Sequence, residues 1–191
     1  MISEFNAAGQ PVIQLSQADY ENCLKITDLI IVEGKELEFQ NTKYKMHPDM
    51  SYAITFCGVL GEQAVANYFD YDYNYTPYDA YRADVLGYQV RATYYSDGHL
   101  LTHPVKTAVN PGGDNPGRYI SLTIEQNKLK VTIRGYSTLA RCNERTDNWR
   151  TEFNGKALRY PCFFMPQNQL WPIDMLPATD ELIAHQTVKA A

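Results

Sequence analysis

Residues 58–93 decide the fold, and they read GVLGEQAVANYFDYDYNYTPYDAYRADVLGYQVRAT. The first part of this stretch predicts a helix with Glu62 on its apolar side. At helical spacing the neighbours of this carboxylate are all uncharged, namely Gly58, Val59, Val65, Ala66 and Phe69. Because burial of an unpaired charge is costly, Glu62 needs a proton, a cation or a metal ion from outside its own helix.

A tight hairpin is predicted at the end of the same stretch. Leu86-Gly87 suits a two-residue loop, which places Asp84 opposite Gln89 with about 5 Å between their Cβ atoms. Arg91 points the same way, because strand side chains repeat every second residue. One acid, one amide and one guanidinium are thus predicted to share a face.

This order of elements resembles the core of the PD-(D/E)XK nuclease superfamily: a helix Glu, a strand Asp, a short turn and Gln-Val-Arg on the next strand. The stretches TYYSDGHLLTH, YISLTIEQNKLKVTIRGY and YPCFFMPQNQLWPIDML are also similar to members from phage genomes, so the resemblance covers residues 51–176. It implies an α/β domain with a restriction-endonuclease-like core, in which helices flank a central mixed β-sheet.

The resemblance also implies an activity, which is Mg²⁺- or Mn²⁺-dependent hydrolysis of DNA phosphodiester bonds by an endonuclease or exonuclease. It gives Glu62, Asp84 and Gln89 as metal ligands. Arg91 completes the catalytic set by stabilising the charge that develops on the phosphoryl group.

Two positions depart from the superfamily pattern. Gln89 stands where an acid is usual, and a neutral amide offers an oxygen to a hard cation but no charge. Arg91 stands where Lys is usual, and arginine does not surrender its proton. The second hypothesis is therefore a catalytically inactive nuclease-like domain that binds DNA or a protein partner, with Arg91 neutralising Asp84 or Glu62. A phage structural or assembly protein is the third.

Length and composition predict one domain. A chain of 191 residues with 45% hydrophobic content is long enough to bury a full core. Residues 1–50 form an N-terminal packing element, 51–176 the nuclease-like core, and 177–191 a tail that is a short helix or a frayed end. The absence of a long apolar run and of a signal-peptide pattern predicts no membrane partner and a cytoplasmic location, in the host cell if the chain is phage-encoded. Association as a homodimer is left open.

Capping signals place the first two helices. Ser16 is a candidate N-cap with Asp19 three residues on, which predicts a helix over residues 17–39. Ser51 is the predicted cap of the central helix that carries Glu62.

Classical metal sites are not expected elsewhere. His99 and His103 have HxxxH spacing, but Pro104 and the preceding turn predict an extended chain, in which the two rings do not meet. The cysteines form no CxxC pair, so free and mostly buried thiols are expected at Cys23, Cys57, Cys142 and Cys162.

The charge is asymmetric, with a net value of −5 overall. Residues 1–85 carry 5 basic against 13 acidic side chains (−8), and residues 86–191 carry 12 against 9 (+3). A basic half can contact phosphates while the acidic half faces solvent. The predicted nucleic-acid contacts are Arg134, Arg141, Arg145 and Arg150. The alternative is a solvated basic face.

Two further patterns concern strands. Tyr71, Tyr73 and Tyr75 alternate with polar residues, which predicts a strand whose rings either pack on the sheet or stack on bases. Residues 119–124 and 129–133 alternate well and predict a hairpin.

Overall fold

The computed structural model describes residues 2–38, 48–73, 84–104 and 114–190. It is a mixed α/β structure, as predicted, with two sheets and four α-helices in the described part of the chain. The strands are β1 (Ile2–Phe5), β2 (Pro11–Gln14), β3 (Gln89–Thr93), β4 (Leu100–Thr102), β5 (Arg118–Glu125), β6 (Lys130–Thr138), β7 (Trp149–Phe153) and β8 (Lys156–Met165). The helices are α1 (Gln17–Glu38), α2 (Pro48–Tyr68), α3 (Leu139–Glu144) and α4 (Asp180–Ala190).

The larger sheet has five strands in the order β1-β2-β6-β5-β3. The β3–β5 pair is parallel, with Gln89 beside Tyr119, and the other pairs are antiparallel. The predicted hairpin is confirmed as β5 and β6, joined by a 3₁₀ turn at Gln126–Lys128. This sheet is therefore mixed, and β3 lies at its edge.

Helix α1 is capped as its sequence predicts. The Ser16 Oγ and backbone N–H both donate to Asp19 Oδ2 at 2.8 Å, and the Asp19 N–H donates to Ser16 Oγ at 3.1 Å. The side chains thus satisfy backbone groups that the first turn leaves free.

Helix α2 begins at Pro48, so the predicted start at Ser51 is wrong by most of a turn. Proline is favoured in a first helical turn because its missing N–H would have no intrahelical partner there. The helix packs on the larger sheet at Gly61, where an added Cβ would lie 2.7 Å from Ala92 Cβ and 3.3 Å from Val90 Cγ1. Val90 and Ala92 therefore face α2.

The smaller sheet has the order β4-β8-β7 and packs against the larger one at Tyr119. A second apolar cluster joins the two sheets, and its buried members are Leu100, Tyr119, Leu139, Cys142, Phe163 and Met165. Tyr119 belongs to this cluster while its strand neighbour Ile120 belongs to the cluster under α2. The extended chain predicted between His99 and His103 is confirmed by β4.

The C-terminal segment forms α4, which is one of the two predicted alternatives for the tail. Tyr88 Oη donates to the carbonyl of Pro177 at 2.9 Å, and Thr179 Oγ1 donates to the carbonyl of Leu86 at 2.5 Å. Lys189 Nζ lies 2.6 Å from Asp70 Oδ2. The segment therefore holds the turn at residues 86–87 and the exit of α2.

The tyrosine-rich segment is not a strand where it is described. Residues 71–73 are irregular, so the strand prediction is wrong for them, and residues 74–83 lie outside the described part of the chain. All four cysteines are free and buried, as predicted. No described helix is long and apolar enough to cross a membrane.

Candidate functional site

The predicted tight turn between Asp84 and Gln89 is present. Val85 pairs with Tyr88 across Leu86 and Gly87, which have φ values of 48° and 78°. Two successive positive φ values are typical of the turn that suits two-residue hairpins. Asp84 is held beside this turn, because Asp84 Oδ2 accepts a 2.6 Å hydrogen bond from the backbone N–H of Val90.

Glu62 lies largely buried on α2 and receives a hydrogen bond of 2.5 Å from Tyr73 Oη at its Oε2 atom. Burial, and after it the negative charge of Asp84, raises the pKa of the Glu62 carboxyl to about 7. The hydrogen bond from Tyr73 and the charge of Arg91 act in the opposite direction. Glu62, Asp84 and Arg91 are thus within electrostatic range of one another.

The pKa of Asp84 is also raised, first by burial and then by the charge of Asp114. The Val90 N–H and the Arg91 guanidinium favour its ionised form and limit the rise. Two carboxyl groups from different elements, Glu62 and Asp84, therefore both bind protons more tightly than exposed acids do.

Arg91 is held between two acids. Its Nη1 lies 3.7 Å from Asp84 Oδ2, and its Nη2 lies 3.3 Å from Asp114 Oδ1. The guanidinium carbon is 5.0 Å from the centre of the Tyr119 ring. Asp114 also accepts a hydrogen bond of 2.9 Å from the backbone N–H of His103. It therefore links the segment before β5 to the end of β4.

Gln89 and Arg91 point away from α2, because they alternate with Val90 and Ala92, which face that helix. Gln89 is buried beside Tyr119 on the face covered by the smaller sheet. Glu62 reaches the site from the α2 side. Glu62, Asp84 and Arg91 thus lie around the edge strand β3, and the side chains of Gln89 and Arg91 are directed to the side of β3 away from the helix.

The described residues hold no group of three or more His, Cys, Asp or Glu side chains suited to bind a metal ion. The available oxygen donors are the carboxylates of Glu62 and Asp84 and the amide of Gln89. Mg²⁺ commonly takes only one or two protein carboxylates and completes its shell with water and substrate phosphate. In kind and number, the carboxylates of Glu62 and Asp84 fit this requirement, whereas Gln89 is directed away from the helix that carries Glu62.

Two of the predicted nucleic-acid arginines form hydrogen bonds or ion pairs with other side chains. Arg134 donates from Nε to Thr123 Oγ1 at 2.8 Å and from Nη1 to Gln10 Oε1 at 3.0 Å. Arg145 forms an ion pair with Asp147 at 3.2 Å. The structure thus gives both arginines a role within the protein.

The other two arginines differ. Arg150 donates from Nη1 to the carbonyls of Asp147 and Trp149 at 2.8 and 2.9 Å. Arg141 stacks on Trp171, with its guanidinium carbon 4.0 Å from the ring centre. Its Nη1 is buried and has no hydrogen-bond acceptor among the described residues.

Sequence reasoning missed two members of the site, Tyr73 and Asp114. Tyr73 was assigned to a strand because of the alternation around it, whereas its hydroxyl serves Glu62. Asp114 lies in the glycine- and proline-rich stretch at 110–117, of which residues 110–113 lie outside the described chain. No local spacing indicated it, because pairing of β3 with β5 brings it to Arg91.

Comparison with protein-family models, curated proteins and solved structures gave no match to this chain.

Proposed function

We propose that this chain is a metal-dependent nuclease domain with a restriction-endonuclease-like core, which hydrolyses phosphodiester bonds of DNA with Mg²⁺ or Mn²⁺. One observation supports this most: Glu62 and Asp84, from a helix and a hairpin, lie within range of each other and both have raised pKa values. Two partly buried acids whose charges influence each other are a common arrangement for cation binding. The resemblance to phage-encoded nucleases supplies DNA as the substrate.

Each side chain has a part in this proposal. Glu62 and Asp84 would hold the ion, and the Tyr73 hydroxyl would keep Glu62 oriented and ionised. A bound divalent ion supplies a water of lowered pKa and offsets charge on the phosphoryl group. Arg91, fixed between Asp84 and Asp114, would stabilise the developing charge with a group that stays protonated.

Cleavage of supercoiled, linear and single-stranded DNA with saturating Mn²⁺ or Mg²⁺ tests the activity. We expect metal-dependent nicking or cutting by the wild type, and loss of it in Asp84→Asn and Glu62→Gln. Glu125→Gln is the matched control, because that exposed carboxylate lies on another strand and forms an ion pair with Lys128 at 2.8 Å. A wild type that is inert on every DNA form, or an active Asp84→Asn variant, would contradict the proposal.

A second function is favoured by a specific contact. Arg91 already lies against both Asp84 and Asp114, as expected for an inactive nuclease-like domain whose acids are neutralised by a protein cation. Thermal unfolding with and without Mn²⁺ separates the two functions. A ligand that binds only the native state raises its stability, so the nuclease predicts a Tm that rises with metal concentration in the wild type and stays fixed in Asp84→Asn. A constant Tm in both proteins would favour the inactive domain.

A further inference from the structure

We propose that Arg118 and Arg141 form a phosphate-binding pair that holds the backbone of a nucleic-acid strand beside the Glu62–Asp84 site. This inference rests on the proposed function, because it places the substrate of that site. It adds Arg118 to the predicted phosphate contacts. Of the four arginines predicted from the sequence, it keeps Arg141 in that role and not Arg134, Arg145 or Arg150.

The backbone positions of the two arginines lie close together at one end of the larger sheet. Arg118 is the first residue of β5 and pairs with Thr138, the last residue of β6. Thr138 caps α3, since its Oγ1 accepts the backbone N–H of Arg141 at 3.2 Å. Arg141 therefore lies on the first turn after the residue that pairs with Arg118.

The same end of the sheet carries the carboxylate site. Strand β5 lies between β3 and β6, and adjacent strands are about 4.8 Å apart. Tyr119 pairs with Gln89 in register, so Arg118 is one residue and one strand away from the start of β3. A strand of nucleic acid that crosses this end would contact both groups of residues.

Among the described residues, neither arginine forms an ion pair with an acid. Within residues 2–38, 48–73, 84–104 and 114–190, the ion pairs of arginines join Arg91 and Arg145 to acids and do not include Arg118 or Arg141. Both side chains are partly exposed. Two cations without an ion pair in the described part of the chain are complementary to a phosphodiester backbone.

Arg141 is also held in place without losing its charge. The Trp171 ring beneath its guanidinium is itself fixed, because Trp171 and Tyr136 exchange backbone hydrogen bonds of 2.9 Å in both directions. Gly135 allows this close approach, since an added Cβ there would lie 2.4 Å from the Trp171 carbonyl oxygen. Stacking fixes the guanidinium plane and leaves its charge for a ligand.

Binding of a labelled oligonucleotide, as single strand and as duplex, tests the pair by fluorescence anisotropy over a series of KCl concentrations in EDTA. We expect Arg118→Ala and Arg141→Ala each to weaken binding about tenfold. In the double variant, the plot of log affinity against log salt should be less steep than in the wild type, by about 1.8 for duplex and about 1.4 for single strands. Arg145→Ala is the matched control and should behave as wild type, because its guanidinium is paired with Asp147.

A measurement on the unaltered protein covers the case in which the variants fail to fold. Arginine modification by phenylglyoxal, mapped by mass spectrometry, should show that the oligonucleotide protects Arg118 and Arg141 but not Arg145. Equal modification with and without oligonucleotide would overturn the pair. So would wild-type affinity in a folded double variant, an equal loss in Arg145→Ala, or a wild type that binds neither oligonucleotide form.

The binding assay contains no metal, so it is separate from the test of cleavage. Binding that depends on the pair in a protein that never cuts would leave the pair in place and remove the nuclease activity. If the double variant cleaves DNA as well as the wild type does, the nuclease activity stays and the arginine pair is ruled out.

Discussion

The hydroxyl of Tyr73 lies 2.5 Å from Oε2 of Glu62, so a residue after α2 donates to the acid that α2 carries. The hydrogen bond favours the ionised carboxylate, whereas burial and the charge of Asp84 favour the protonated one. Tyr73 is itself partly buried beside this acid, and its own pKa is raised by burial and by the charge of Glu62. The pair therefore decides how much charge the candidate site holds near neutral pH.

Tyr73→Phe should destabilise the protein more at high pH than at low pH. A hydrogen bond to a charged group contributes about 1.5–3 kcal/mol, and Glu62 is mostly ionised only above a pH of about 7. Urea unfolding of wild type and variant, well below and well above that pH, measures the difference. Tyr52→Phe is the control: its hydroxyl donates to exposed Asp28 at 3.1 Å, and its loss should cost less than about 1 kcal/mol at either pH. An equal cost of Tyr73→Phe at both pH values would contradict this account.

Glu62 should make the free energy of unfolding fall as pH rises. Its native pKa of about 7 lies above the ordinary value of 4.5 that it has in an unfolded chain, so the native state binds more protons between these values. The stabilisation is fully present below the unfolded pKa and is lost as pH rises through the native one, a change of about 3 kcal/mol. Glu62→Gln should flatten this dependence in urea unfolding measured across that range. A variant that keeps the full wild-type slope would assign it to another group.

Local sequence signals predicted those parts of the fold that local chemistry determines. The cap of α1 needs only Ser16 and Asp19, and the turn beside Asp84 needs only two residues that accept positive φ. The contacts of the site are of another kind. Arg91 meets Asp114 because β3 pairs in parallel with β5, and no spacing along the chain encodes that pairing.

The same reasoning explains why the sequence alone could not select the arginines that are available to bind a phosphate. A sequence shows how many arginines a segment carries but not which of them the fold pairs with an acid. Arg145 forms an ion pair with Asp147, two residues away, whereas Arg141 stacks on the ring of Trp171, thirty residues further along the chain. Only the structure separates a neutralised cation from an uncompensated one.

Gly58 and Gly61, one turn apart on α2, should respond to alanine with opposite signs. An added Cβ at Gly58 meets nothing within 4 Å, so Gly58→Ala should stabilise the helix by about 0.5–1 kcal/mol. At Gly61 the same atom would lie 2.7 Å from Ala92 Cβ, so Gly61→Ala must push α2 from β3 and should cost about 1–3 kcal/mol. Thermal and urea unfolding of both variants measures the two changes. Stabilisation by Gly61→Ala would contradict the close packing of α2 on the edge strand.

Gly87 and Gly155 provide the last test, because they occupy equivalent places in two hairpin turns. Their φ values are 78° and 72°, so alanine is strained at either position by about 1–2 kcal/mol. At Gly87 an added Cβ would also lie 3.0 Å from Cβ and Cγ2 of Thr179, the residue before α4. At Gly155 it would meet nothing within 4 Å. Thr179 is tied to the Leu86 carbonyl and has little freedom to move away. We therefore expect Gly87→Ala to cost at least about 1 kcal/mol more than Gly155→Ala in urea unfolding. Equal costs would mean that the C-terminal segment does not hold the turn that positions Asp84.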